Sequence, residues 1–362
     1  IAYYTFLILL FMSIGYAVNW IRKGDMKHLL TAFAIVVVTG LIGVLCNAVS
    51  LLTTYEYSKE SIRGGSALAT GTSNSTTTGL SADYALSYSM YKTEPFVMMV
   101  PKMYGGSNSL EVAQEESKAI EALQQMPQEL AQQLQYNLGA YWGGIGGTSG
   151  PPYVGAVICF LTLIGFFVLD SRHKWWILAV SVLAIVMSWG SYFAAFNEFL
   201  LDFLPLYNKF RAPSMTIVIP TLLFCMMAVM TVQKVLNMDN KAELWNRYKK
   251  GLLLTAGIFV VLLLIYMSAD FTSEGDRNLL SQTSSAPDQV QGYVRTFLSA
   301  LKDDRRDLFM GSLIRSFLFI AAAAALLWFF IRKTLAPGIL IGVLGVLAFI
   351  DVMAIDTQYL NS

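Results

Sequence analysis

The chain has 362 residues, 55% of them hydrophobic and only 14% charged, with a mean hydropathy of +0.54. That composition is too apolar and too charge-poor for an ordinary soluble domain. A net charge of +1, with no Lys/Arg stripe away from the apolar runs, excludes the electrostatic footprint of a nucleic-acid-binding protein.

The apolar residues run continuously instead of alternating, which points to an all-α membrane protein and not to a barrel. Windows of about 17–25 apolar residues place eight transmembrane helices: Ile1–Trp20, Leu29–Leu52, Pro151–Leu169, Trp175–Trp189, Met215–Val235, Leu252–Ser268, Leu313–Ile331 and Ala336–Ile355. Residues 1–52 hold the first two, a long polar block fills 53–150, and 151–362 hold the other six with outer loops at 190–213 and 269–312. Lys and Arg gather in the short connections: Arg22, Lys23 and Lys27; Arg172 and Lys174; Lys234 to Lys250; Arg332 and Lys333. By the positive-inside rule those connections are cytoplasmic, so the long loops and both visible ends are extracytoplasmic. The chain starts inside an apolar run with no basic leader and stops just after a span, so both ends read as cut from a longer protein.

The loops have internal order. Leu110–Leu138 carries apolar residues at helical spacing, and Pro127 divides it into two helices. Tyr192–Phe210 (YFAAFNEFLLDFLPLYNKF) is too charged and interrupted to span, and suits a helix lying in the membrane interface, ended near Pro205. In the last outer loop Val294, Phe297, Leu298 and Leu301 share a helical face, while Lys302–Asp307 reads as a solvated turn. Cys46, Cys159 and Cys225 sit inside apolar runs without metal-ligand spacing and read as small buried side chains.

Soluble-enzyme signals fail one by one. GIGGTSG (Gly144–Gly150) is followed by Pro-Pro and a span, which no dinucleotide turn tolerates. His28 and His173 fall on the cytoplasmic flanks, so no His-based metal site or triad assembles outside. What remains is polar residues at the outer membrane face. Glu56 and Arg63 stand seven apart; on a continuous helix that is two turns, about 10 Å. Arg63 could hold a phosphate while Glu56 acts as base, or the two could form a weak surface pair. Asp83 and Glu94 flank an aromatic stretch, and Glu94 before Pro95 suits either a site or a helix end. Tyr141, Trp142 and Tyr153 fit an interfacial aromatic belt or a platform for a sugar ring, and Tyr104 is a further candidate for substrate binding. In LPLYNKFRAPSM, Lys209 and Arg211 precede a span on the side where topology does not demand them. Pro213 biases Ala212 toward an extended backbone. The Arg211 guanidinium suits a lipid phosphate, or alternatively pairs with Asp202 or Glu198.

EYSKESIRGG, DYALSYS…TEPFVMMVPKMYGG, YWGGIGGTSGPPYVGA and FLPLYNKFRAPSM, in this order, resemble the YfhO family of bacterial membrane proteins along essentially the whole chain. The resemblance implies a GT-C-like fold and a glycosyltransferase. Such an enzyme takes a sugar from a polyprenyl-phosphate donor and passes it to a cell-envelope glycan or lipid acceptor, outside the bacterial inner membrane. It carries over only to Glu56 and Glu94 as candidate carboxylates, Arg63 and Arg211 as donor-phosphate ligands, and the turns Tyr104–Gly106 and Tyr141–Gly143; Lys209, beside Arg211, is a further candidate for the phosphate. In GT-C enzymes the main carboxylate usually follows an earlier span, which places it upstream of Ile1. The cofactor is left open, a divalent cation included, with no ligand spacing to assign one. The alternatives are a flippase or transporter of a lipid-linked precursor and a non-catalytic envelope-assembly protein.

Overall fold

A computed structural model describes residues 2–59, 80–108, 117–170 and 172–360, which are helical with no strand among them. In chain order the helices are α1 (Ala2–Arg22), α2 (Met26–Cys46), α3 (Ala48–Lys59), α4 (Ala82–Ala85), α5 (Lys118–Gln124), α6 (Gln128–Gln135) and α7 (Ala156–Val168). There follow α8 (His173–Ser188), α9 (Ala194–Phe203), α10 (Val218–Asn237), α11 (Lys241–Ser268), α12 (Glu274–Gln282), α13 (Asp288–Ile331) and α14 (Pro337–Tyr359). Starts are set locally: Asp25, Ser117 and Asn240 side chains accept from the backbone N–H of His28, Ile120 and Glu243. Ser273 and Asp276 form a capping box at α12. Pro127, Pro287 and Pro337 stand at the starts of α6, α13 and α14.

Six of these segments are long and apolar enough to cross a membrane: Tyr3–Arg22, Met26–Cys46, Pro213–Asn237, Lys241–Ser268, Asp288–Ile331 and Pro337–Tyr359. His173–Ser188 and Gly190–Phe203 form a pair bent by 111°, which would make a seventh. The expected third span is a helix of only 13 residues, about 20 Å against a hydrocarbon core of about 30 Å. Every apolar run read from the sequence is thus helical, but length alone supports six or seven crossings.

The chain divides into two compact units, 1–90 with 175–219 and 91–174 with 220–362. In the first, α2 has no buried residue and exposes Phe33, Val36, Leu41 and Leu45. A surface of that kind is stable in lipid and not in water. Cys46 on α2 is exposed for the same reason, as is Cys225 on α10; only Cys159 is buried as expected. The elbow between α8 and α9 is built around Asn197, whose amide donates to the carbonyls of Val186, Gly190 and Phe193 at 3.4, 3.1 and 3.3 Å. Gly190 has φ +44, and a Cβ there would overlap the Ser89 hydroxyl. Helix α9 ends at Phe203, before Pro205, where the interfacial helix was expected to stop.

In the second unit α7 is the buried centre, packed by α11, α13 and α14. Close approach depends on Gly251, where a Cβ would collide with Ile164. Above this bundle α5 and α6 lie on the first turns of α13, burying Ala119, Leu123, Leu134 and Leu138 against Val294, Phe297, Leu298 and Leu301. Pro127 does separate the two loop helices, while residues 110–116 of that stretch lie outside the described residues. Lys302–Asp307 is not a solvated turn. Helix α13 runs unbroken for 44 residues, about 66 Å. Arg305 continues the stripe of Leu301 and Phe309 and is 1% exposed.

Candidate functional site

Because the two units are distinct bodies, the expected site residues fall into two groups. In the first unit, Tyr84 on α4 and Tyr88 just beyond it flank Arg211. Arg211 Nη1 donates to Tyr84 Oη at 2.7 Å, and its guanidinium carbon lies 5.0 Å from the Tyr84 ring centre and 4.8 Å from that of Tyr88. Two ring faces on one guanidinium fix its plane without neutralising it. No carboxylate among the described residues pairs with it; Asp202 and Glu198 stay exposed on α9. The loop is tied down by Leu80 N–H to the Asn208 carbonyl (3.0 Å) and Ser214 N–H to the Tyr88 carbonyl (3.1 Å).

Ala212 departs from the expected extended backbone. It sits at φ 68, ψ 77, a left-handed conformation that also escapes the clash with Pro213, at a cost of about 1–3 kcal/mol. Thr216, whose hydroxyl donates to the Pro213 and Ala184 carbonyls at 2.8 and 2.7 Å, holds the far side of this turn. Lys209 is half-buried in the turn Tyr207–Lys209, Asp83 is exposed in the first turn of α4, and Glu56 is exposed on α3. Arg63 lies outside the described residues, so its pairing with Glu56 is undescribed.

The second group gathers around Glu94, which is 1% exposed. One carboxylate oxygen accepts from Tyr141 Oη at 2.5 Å; the other accepts from the backbone N–H of Tyr91 and of Gly144, each at 2.9 Å. Burial pushes the Glu94 carboxyl above its ordinary range, against the pull of these three hydrogen bonds. Burial and the adjacent Glu94 push the Tyr141 phenol up as well. The turns Tyr104–Gly106 and Tyr141–Gly143 lie side by side, with Trp142 N–H on the Tyr104 carbonyl and Tyr141 N–H on that of Ser107, at 3.1 and 3.0 Å. Gly105, at φ +90, approaches the Ala140 carbonyl so closely that no Cβ fits.

Tyr104, Tyr141 and Trp142 are therefore core residues of this loop. Tyr104 and Trp142 meet at 4.3 Å with their planes tilted by 34°, Trp142 meets Phe271 at 5.2 Å, and all three side chains are buried. Glu94 closes the loop and, with Tyr104 and Tyr141, lines a small cavity of about 10 Å³ there. Tyr153 is also engaged: its hydroxyl donates to Asp351 at 2.6 Å and lies 3.1 Å from Arg315 Nη1.

Sequence reasoning missed three charged groups of this unit. Arg305 forms a buried ion pair with Asp276 and donates to the Phe271 and Gly139 carbonyls at 2.8 and 2.9 Å. Its place on the apolar stripe of α13 was the available signal. Arg315, near the start of the last but one apolar run, pairs at 3.1 Å with Asp351, which is 0% exposed. Lys102 had no periodicity to mark it. No three His, Cys, Asp or Glu side chains among the described residues converge as a metal ion would need. Set against known protein-family models, curated proteins and solved structures, the chain matches none.

Proposed function

We propose that the protein is an integral membrane glycosyltransferase of GT-C-like architecture in the bacterial inner membrane. It would move a sugar from a polyprenyl-phosphate donor to a cell-envelope acceptor on the extracytoplasmic side. This reading takes the YfhO resemblance as its starting point. It takes α7 and the bent pair α8–α9 as spans beside the six long apolar helices, eight in all. The Lys/Arg-rich connections face the cytoplasm, so Arg211 meets lipid head groups on the opposite side.

The observation that carries the reading is Arg211: an exposed guanidinium held between two tyrosines, without a carboxylate partner among the described residues, directly before an apolar helix. In the transfer, the acceptor oxygen bonds to the anomeric carbon as the bond from that carbon to the phosphate oxygen breaks. The polyprenyl phosphate leaves with the electron pair, and Arg211 stabilises the charge growing there. Lys209, and Arg63 from the stretch not described, would add to that field. A carboxylate takes the acceptor's proton; Glu56 is the exposed candidate.

Arg211→Ala should lower transfer from a polyprenyl-phosphate sugar by about 10²–10³-fold with normal insertion, and Arg211→Lys should restore part of it. Wild-type rates in Arg211→Ala would refute the role. A second reading, a flippase or transporter of a lipid-linked precursor, draws on the buried Arg315–Asp351 pair. Translocation of the lipid-linked sugar in proteoliposomes, with no transfer or hydrolysis by the purified protein, would favour it.

A further inference from the structure

In the second unit a cavity of about 420 Å³ follows one face of α13. Asp304, Leu308, Gly311, Ser312 and Arg315 line it at helical spacing, over about 16 Å of axis. Its two ends differ in charge. At the Arg315 end lies Lys102, whose backbone N–H donates to Ser312 Oγ at 3.1 Å while its ammonium has no hydrogen-bond or ion-pair partner among the described residues. Burial, and then repulsion from Arg315, lowers the Lys102 pKa, so two cations sit close together in half-buried surroundings. Arg315 is already pinned: Nη1 to Tyr153 and Asp351, both at 3.1 Å, and Nη2 to the Asp351 carbonyl at 2.5 Å. Lys102 is the charge left over.

At the other end are Asp304 and Asp307. Asp304 accepts from Ser117 Oγ, Lys118 N–H and Ala119 N–H at 2.7, 2.9 and 3.0 Å, and Asp307 pairs with Lys118 at 2.7 Å. Each carboxylate retains acceptor capacity for a hydroxyl donor. Leu138, Leu301 and Ile355 supply apolar wall between the ends, and the volume is that of a small-molecule site.

We propose that this cavity binds a phosphate ester of a hydroxylated group, with the phosphate on Lys102 and Arg315 and the hydroxyls toward Asp304 and Asp307. A bare anion would meet repulsion from the two aspartates, and a neutral polyol would leave Lys102 unanswered. An ester carrying both groups satisfies both ends. Such chemistry reaches the site either as a membrane lipid with a polyol head group or as a soluble sugar phosphate. The assignment is independent of the transferase reading, because Arg211 belongs to the other unit.

The test uses the full chain in phosphatidylcholine nanodiscs. One arm titrates glucose 1-phosphate, with glucose and inorganic phosphate as controls; the other replaces part of the lipid with phosphatidylglycerol, with phosphatidic acid as control. The hydroxylated ester should raise the melting temperature above both controls in at least one arm, and which arm responds identifies the source. Lys102→Gln should weaken that binding by at least about ten-fold, while Lys102→Arg and Arg211→Ala retain it. Should Lys102→Gln misfold, binding by Lys102→Arg against loss in Lys102→Met decides instead. No stabilisation in either arm, or equal binding after Lys102 is neutralised, overturns the proposal.

Discussion

Glu94 is held by three donors in a place from which water is almost excluded, and the two facts oppose each other. Burial favours the neutral acid and the hydrogen bonds favour the carboxylate; burial is the larger effect, so the folded carboxyl titrates above its unfolded value. The folded loop then keeps a proton that the unfolded chain has already released. Glu94's contribution to stability is complete below the ordinary carboxylate range and is lost as pH rises through the folded value. Glu94→Gln, neutral and nearly isosteric, should flatten that slope: melting curves between about pH 4 and about pH 8 should fall with pH more steeply for the wild type. Superimposable pH profiles would show that the carboxyl does not titrate between the two states. The same geometry sets Glu94 apart from Arg211, which is exposed and stacked between tyrosines on a strained turn.

Among the elements, α13 shows how far the sequence could be read. The stripe Val294, Phe297, Leu298, Leu301 was legible as one helical face because apolar residues at that spacing have few other uses. Its continuation through Arg305 was not, because a charged run normally marks solvent. The partner that makes its burial affordable, Asp276, lies on α12, 29 residues earlier. Periodicity sees one helix at a time, and this pair joins two. Removing one member leaves the other charge buried, so Asp276→Ala should destabilise the protein by about 3–5 kcal/mol in denaturant unfolding of detergent-purified protein. A loss under about 1 kcal/mol would mean that the pair is solvated. The end of α9 before Pro205 and the division at Pro127 were legible for the opposite reason: proline acts locally. The burial of Tyr104, Tyr141 and Trp142 was not legible because an aromatic beside glycine looks the same at a lipid interface, under a sugar or inside a folded loop. Only the contact of one turn with the other shows which.

The molecule as a whole is an assembly of apolar helices whose polar segments have structure of their own. The α2 surface demands lipid. In the second unit, charge collects at both ends of the bundle. At one end Asp170 meets Arg247 and Lys234; at the other Arg305, Asp276, Lys102 and Arg315 lie among folded loops. The proposed function requires the second end, together with Arg211 of the other unit, to face away from the cytosol. Cysteine accessibility tests that requirement most directly. With Cys46, Cys159 and Cys225 replaced, Tyr136→Cys (94% exposed in the loop) and Arg332→Cys would be treated with a membrane-impermeant maleimide on intact cells. Labelling at 136 from outside, and at 332 only after permeabilisation, is the predicted result; labelling at 332 but not at 136 on intact cells would contradict it.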